Sequence, residues 1–102
     1  MADLFTIPVQ NAPQRFEVEL SGVTYVIENR WNPIASCWEL DWYDADGAPL
    51  VMAVPLLAGA DLTVDYPALP PGILAVLTDG NENADPTLDG LGIESKLYYV
   101  AP

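Results

Sequence analysis

The chain contains no histidine, one cysteine and only three cationic side chains, Arg15, Arg30 and Lys96, in 102 residues. Each scarcity removes a class of function. Without histidine there is no Ser-His-Asp or Cys-His catalysis in the usual forms, and most zinc sites lose their commonest ligand. With Cys37 alone no internal disulfide can form, so the fold must hold by burial and hydrogen bonding. Three cations against 15 acidic residues give a net charge of -12. Nucleic-acid binding depends on cations that displace counterions from phosphates, and attraction to anionic lipid needs them too. Neither partner suits this chain. No window reaches the ~18 continuous apolar residues of a membrane span. The most apolar run, 48–60, is short and broken by Pro49, Pro55 and Gly59. The start, MADLFTIPVQ, lacks a basic stretch followed by an apolar one, so no secretory leader is expected.

What is present is β-patterning. RFEVEL (15–20) alternates strictly, with Phe16, Val18 and Leu20 on one face and Arg15, Glu17 and Glu19 on the other. That is a half-buried strand. Ser21-Gly22 and then VTYVIENRW (23–31) complete a hairpin. In this second strand Val23, Tyr25 and Ile27 share one face, and Thr24, Val26, Glu28 and Arg30 the other. Asn32-Pro33 marks a turn. In CWELDWYD (37–44), Trp38, Leu40 and Trp42 lie on one face and Cys37, Glu39, Asp41 and Tyr43 on the other. Asp44-Ala45-Asp46-Gly47 is turn chemistry, and PLVMAVPLL (49–57) returns as a strand with Pro55 near its end or at a bulge. Residues 58–72 are loop-like, and 60–66 allow a short helical turn or a brief strand. GILAVLT (72–78) is a buried strand, 78–92 a long acidic loop, and KLYYVAP (96–102) a closing strand. FTIPV (5–9) suits an edge strand. Ten prolines argue against long helices. The expected fold is all-β: a single domain over 1–102, an antiparallel β-sandwich or barrel of about six to seven strands. Its core is expected to be built on Phe16, Val18, Leu20, Tyr25, Ile27, Trp38, Leu40 and Trp42.

Candidate sites weaken on inspection. An EF-hand loop needs oxygen ligands at positions 1, 3 and 5, Gly at 6 and Glu at 12. Asp44 and Asp46 at positions 3 and 5 put Trp42 at 1 and Ala53 at 12. Asp79, Asn81, Asn83 and Asp85 fall at 1, 3, 5 and 7, but Ala84 and Gly90 occupy 6 and 12. No metal or cofactor site is expected. Glu39 and Asp41, two apart on one strand face, could in principle act as a carboxylate pair. A raised pKa would need apolar burial, and their polar neighbours make them read as solvated. No catalytic residue and no enzymatic activity is expected. An aromatic platform for sugar would need an outward row, whereas Trp38 and Trp42 point inward with Leu40; Trp31, at a strand end, is the best exposed contact. PALPP (67–71) has PxxP spacing but no flanking cation, and reads as a stiff loop.

Three ordered motifs carry a family resemblance: QRFEVELSGVTYVIENRWN (14–32), WELDWYDADGAPL (38–50) and VPLLAGADL (54–62), closed by LGIESKLYYV (91–100). Each alone is β-domain vocabulary. Their order resembles the baseplate plug protein of a cyanophage with a minimal contractile tail and related short phage tail proteins. Ala53 departs from the pattern, which would carry Gly there, and bears on a local bulge. The resemblance implies a virion structural protein of the tail tip, made in the host cytoplasm, that closes the tube lumen at the hub until genome ejection. It implies hub proteins as partners and a symmetric homo-oligomer in the assembly. A globule of this length is about 33 Å across, a size that could occlude a tube, and its acidity would not retain DNA. A plug must also touch the hub through edge strands or exposed apolar loops. The interface candidates are Phe5, Ile7, Trp31, Leu56, Leu57, Tyr66, Leu69, Tyr98 and Tyr99, drawn from FTIPV, the 55–71 segment, the C-terminal strand and the exposed-contact tryptophan. The competing class is a small β-module that binds carbohydrate or protein, such as an adhesin or accessory domain.

Overall fold

Alternation in sequence becomes alternation in space. The computed structural model describes residues 4–59, 61–64, 66–81 and 83–102. Among these it contains seven strands and no helix: β1 (Leu4–Ile7), β2 (Gln14–Leu20), β3 (Val23–Asn32), β4 (Cys37–Asp44), β5 (Pro49–Pro55), β6 (Ile73–Thr78) and β7 (Ser95–Val100). They form two antiparallel sheets, one of four strands in the order β2-β3-β4-β5 and one of three in the order β1-β7-β6. The architecture is a sandwich, not a closed barrel. One apolar cluster draws on both sheets. It includes Val18, Leu20, Tyr25, Ile27, Trp38, Leu40 and Trp42 from the larger sheet and Ile7, Leu74, Val76, Leu97 and Tyr99 from the smaller. Burying a large apolar side chain contributes about 1.5–3 kcal/mol, so this shared layer is the main source of cohesion in a chain without disulfides.

Turn chemistry sets the register of the larger sheet. Ser21 and Gly22 both have positive φ, 52° and 80°, as a two-residue primed hairpin turn requires. The turn pairs Phe16 with Ile27 and Val18 with Tyr25. At the next turn Asn32 Oδ1 accepts the N–H groups of Ile34 and Ala35 at 3.0 and 3.1 Å. At the third, Asp44 Oδ1 accepts those of Asp46 and Ala48, both at 2.9 Å. β1 is an edge strand, paired only with β7 and ending at Ile7. Between β5 and β6 the described residues form turns and one bridge, Ala58 to Val76. Residues 60 and 65 of the segment expected to form a helical turn or brief strand lie outside the described residues.

One core expectation needs correction. Phe16 is half-buried and packs against the cluster from outside, because β2 is the edge of its sheet. Val23, beside the hairpin turn, is exposed, whereas Val26 on the opposite face is buried; it lies opposite Tyr43 in the β3–β4 ladder.

Tyr99 ties the sheets together through its hydroxyl, which hydrogen-bonds the Ser21 hydroxyl at 2.8 Å and donates to the Pro71 carbonyl. The bulge in β5 is equally specific. Leu40 pairs with Val54 and Trp42 with Val51, so Met52 and Ala53 together oppose Asp41. Ala53 has φ 58°, a left-handed conformation that costs a residue with a Cβ about 1–2 kcal/mol. Glycine, the residue expected at this position, adopts that conformation without penalty, and Ala53 is exposed, so its methyl adds little packing. Ala53→Gly should raise stability by about 1 kcal/mol, or ~4 °C in Tm, measured by thermal melting.

Candidate functional site

The two outer faces of the sandwich differ in character. On the four-stranded sheet the outward residues of β3 and β4 form a network around Arg30. The β3–β4 register sets Arg30 against Glu39 and Glu28 against Asp41. The Arg30 guanidinium grips Asp41 with two bonds, Nε to Oδ2 and Nη2 to Oδ1, each 3.1 Å. Its Nη1 reaches Glu39 Oε1 at 2.6 Å. Asn32 Nδ2 donates to the other Glu39 oxygen at 3.2 Å, and the Ala53 N–H donates to Asp41 Oδ1 at 2.8 Å. Beyond this cluster Arg15 pairs with Glu28 at 3.4 Å. Its guanidinium carbon lies 4.5 Å from the centre of the Tyr43 ring, and Tyr43 donates to Glu28 at 3.1 Å. Both arginines of the chain are therefore engaged on one face.

This overturns the reading of Glu39 and Asp41 as solvated. Asp41 is only 6% exposed. Burial alone would push its carboxyl up, but the Arg30 fork, the Ala53 N–H and the nearby positive charge together hold it below the usual carboxylate range. That is the wrong direction for a general acid. Arg30 is raised in turn, chiefly by its bonds to Asp41. The face also carries an open groove of about 390 Å³ lined by Pro13, Gln14, Arg15, Glu28, Asn29, Arg30 and Asp41; its charged groups are already partnered.

The acidic loop and the proline tip are also committed internally. Asp85 Oδ1 accepts the Ala58 N–H at 2.8 Å and Asn81 Oδ1 that of Asn83 at 3.2 Å. The Thr87 carbonyl accepts the Trp38 indole N–H at 2.9 Å, which ties the loop to the core. Tyr66, Leu69, Pro70 and Pro71 line a small pocket of about 190 Å³. The Pro71 carbonyl is occupied by Tyr99, so PALPP is part of the fold and not a free polyproline ligand. Burial pushes the Cys37 thiol up, which disfavours a reactive thiolate.

The interface candidates divide by phase. Ile7, Leu56, Leu69 and Tyr99 are buried and offer no outer surface; they belong to the core. Trp31 is half-buried, with its ring edge-on to Trp38 at 5.7 Å. Tyr66 and Tyr98 are half-buried, while Phe5 and Leu57 are exposed. Contiguity in sequence selected these residues together, whereas strand alternation separates neighbours such as Tyr98 and Tyr99. The Arg30–Asp41 fork was missed because it lies across strands. Counting back from the Asn32 turn would have placed Arg30 opposite Glu39.

A depressed carboxylate in the folded state stabilises it above the ordinary carboxylate pKa. That stability fades as pH falls through the lower folded value. Arg30→Met should cost about 2 kcal/mol at neutral pH. The cost should shrink as Asp41 protonates in acid, where wild type loses the same pairing. Urea melts at neutral and acid pH measure both.

No curated protein matches the chain. A family model described as "Cyanophage baseplate Pam3 plug gp18" matches residues 4–102, which spans every strand of both sheets. The match joins the three motif blocks and the closing strand in one pattern, and the chain belongs to this cyanophage baseplate plug family.

Proposed function

We propose that the protein is a virion structural component of the phage tail tip that sits at the hub and closes the tube lumen until genome ejection. The observation that carries this reading is the family match over residues 4–102. The physical properties agree with it. The body measures 32 × 31 × 22 Å, and its two sheets share a single apolar core, which suits an obstruction more than a flexible linker. Its net charge of -12 repels a polyanion at close range, so DNA leaving the tube would pass a displaced plug without being held. Its partners are other baseplate proteins, and a symmetric set of copies would match the symmetry of a tail.

A carbohydrate-binding module has less support. Trp38 and Trp42 are buried, and Trp31 is half-buried against Trp38, so the three tryptophans form no exposed stacking row. A structural role also fits carboxylates that are locked in ion pairs instead of poised for proton transfer.

Electron microscopy of virions before and after ejection tests the plug role. Density of this shape is expected on the tail axis at the hub before ejection and is expected to be displaced or absent afterwards. Density confined to fibre tips, or unchanged on the axis after ejection, would refute lumen closure. In solution, fluorescence anisotropy with duplex DNA at low salt should show no binding; tight binding would remove the charge argument.

A further inference from the structure

The outer face of the three-stranded sheet has no counterpart to the Arg30 network. Register places Leu4, Val100 and Ile73 side by side across β1, β7 and β6. Thr6, Tyr98 and Ala75 form the next outward row, and Lys96 pairs with Leu77 in the one after. Leu4 is 67% exposed, Ile73 46% and Leu77 44%. Among the described residues no carboxylate interrupts these rows, and Lys96 makes no ion pair. Glu94 and Asp79, both exposed, close one end of the face, where the Asp79 N–H meets the Glu94 carbonyl.

Three strands and six residues span ~14 Å by ~20 Å. The largest apolar patch on a typical soluble monomer covers roughly 300–600 Å² and is often functional, and this face lies at the lower end of that range. A second copy is a poor occupant. A stable dimer needs about 800 Å² from each partner, more than this flat face supplies. Stacking two copies would also bring together two bodies of charge -12 and their acidic rims. The complementary surface is a concave one, which gains area by also touching the loops around the face.

We propose that the outer face of β1, β7 and β6 is the docking surface of this protein, and that its occupant is a different protein presenting a concave apolar seat rimmed by Lys or Arg. This rests on the plug reading, in which the seat belongs to a baseplate component. The apolar rows supply the desolvated centre of the contact, and the acidic rim and body supply attraction and orientation.

The test substitutes Ile73→Glu, Leu77→Glu and, at the more exposed edge, Leu4→Glu. Ile34→Glu is the control: Ile34 is 96% exposed on the β3–β4 turn, away from this face. Thermal melts identify the variants that fold as wild type does. Copies per particle are then counted in purified virions made with each folded variant. The expected result is a loss of about tenfold or more for the β1, β6 and β7 face variants, with no loss for Ile34→Glu. Normal incorporation of the folded face variants, with wild type present at the tail tip, would overturn the docking surface and leave the plug reading intact. Absence of wild type from particles would overturn both. Sedimentation of the isolated chain should show a monomer; a dimer dispersed by Ile73→Glu would assign the face to a second copy and overturn the proposed occupant.

Discussion

Trp38, Leu40 and Trp42 project from β4 into the space between the sheets, and each is almost completely buried. The described chain has no helix to cover a sheet and a single cysteine, so the two sheets must cover each other. β4 is an inner strand of the larger sheet, and its phase constrains the outer surface as well as the core. Once the two tryptophans and Leu40 face inward, Cys37, Glu39, Asp41 and Tyr43 must face outward. Asp41 then sits in the middle of a sheet surface between β3 and the bulged β5, with little access to water. A carboxylate there is tolerable only with partners. Arg30 supplies two bonds and the Ala53 N–H a third, and the bulge that aims this N–H holds Ala53 in a left-handed conformation. The core, the ion pair and the backbone strain are thus one connected solution.

The outer surfaces divide the remaining tasks. The face of the larger sheet carries both arginines, each paired with carboxylates. The face of the smaller sheet is mostly apolar, with Thr6 at its edge strand and a lone lysine. In an acidic protein of a baseplate family, the first kind of surface resists association and the second favours it. Tyr99, which anchors Ser21 and Pro71, keeps the two faces in a fixed relation, so a contact made on one side orients the other.

Local pattern was enough for the strands and turns. RFEVEL, the Ser-Gly break and Asp44-Ala45-Asp46-Gly47 each encode their structure within a few residues, and the inward phase of Trp38 and Trp42 comes directly from period two. Features that need two segments at once were less legible. Asp41 looked solvated because its neighbours in sequence are polar, but its burial is imposed by the strands on either side. Ile7, Leu56, Leu69 and Tyr99 were chosen for a surface by the segments that contain them, and packing claimed all four. The apolar outer face depends on Leu4, Ile73, Leu77, Tyr98 and Val100 meeting from three strands; no continuous stretch of sequence displays it. Ala53 was visible only as a departure from a pattern, and its φ explains why glycine suits that place.

The same strand, β5, also limits how the protein can be built into something larger. It is a free edge of the four-stranded sheet, which would ordinarily offer a template for another strand. Pro49 and Pro55 lack amide donors at its two ends, and the bulge at Ala53 bends the backbone between them. These features blunt that edge against continuing the ladder. Neighbouring chains can therefore crowd this side without fusing into a continuous sheet, and a contact made there is one of side chains, which separate without unpicking backbone pairing.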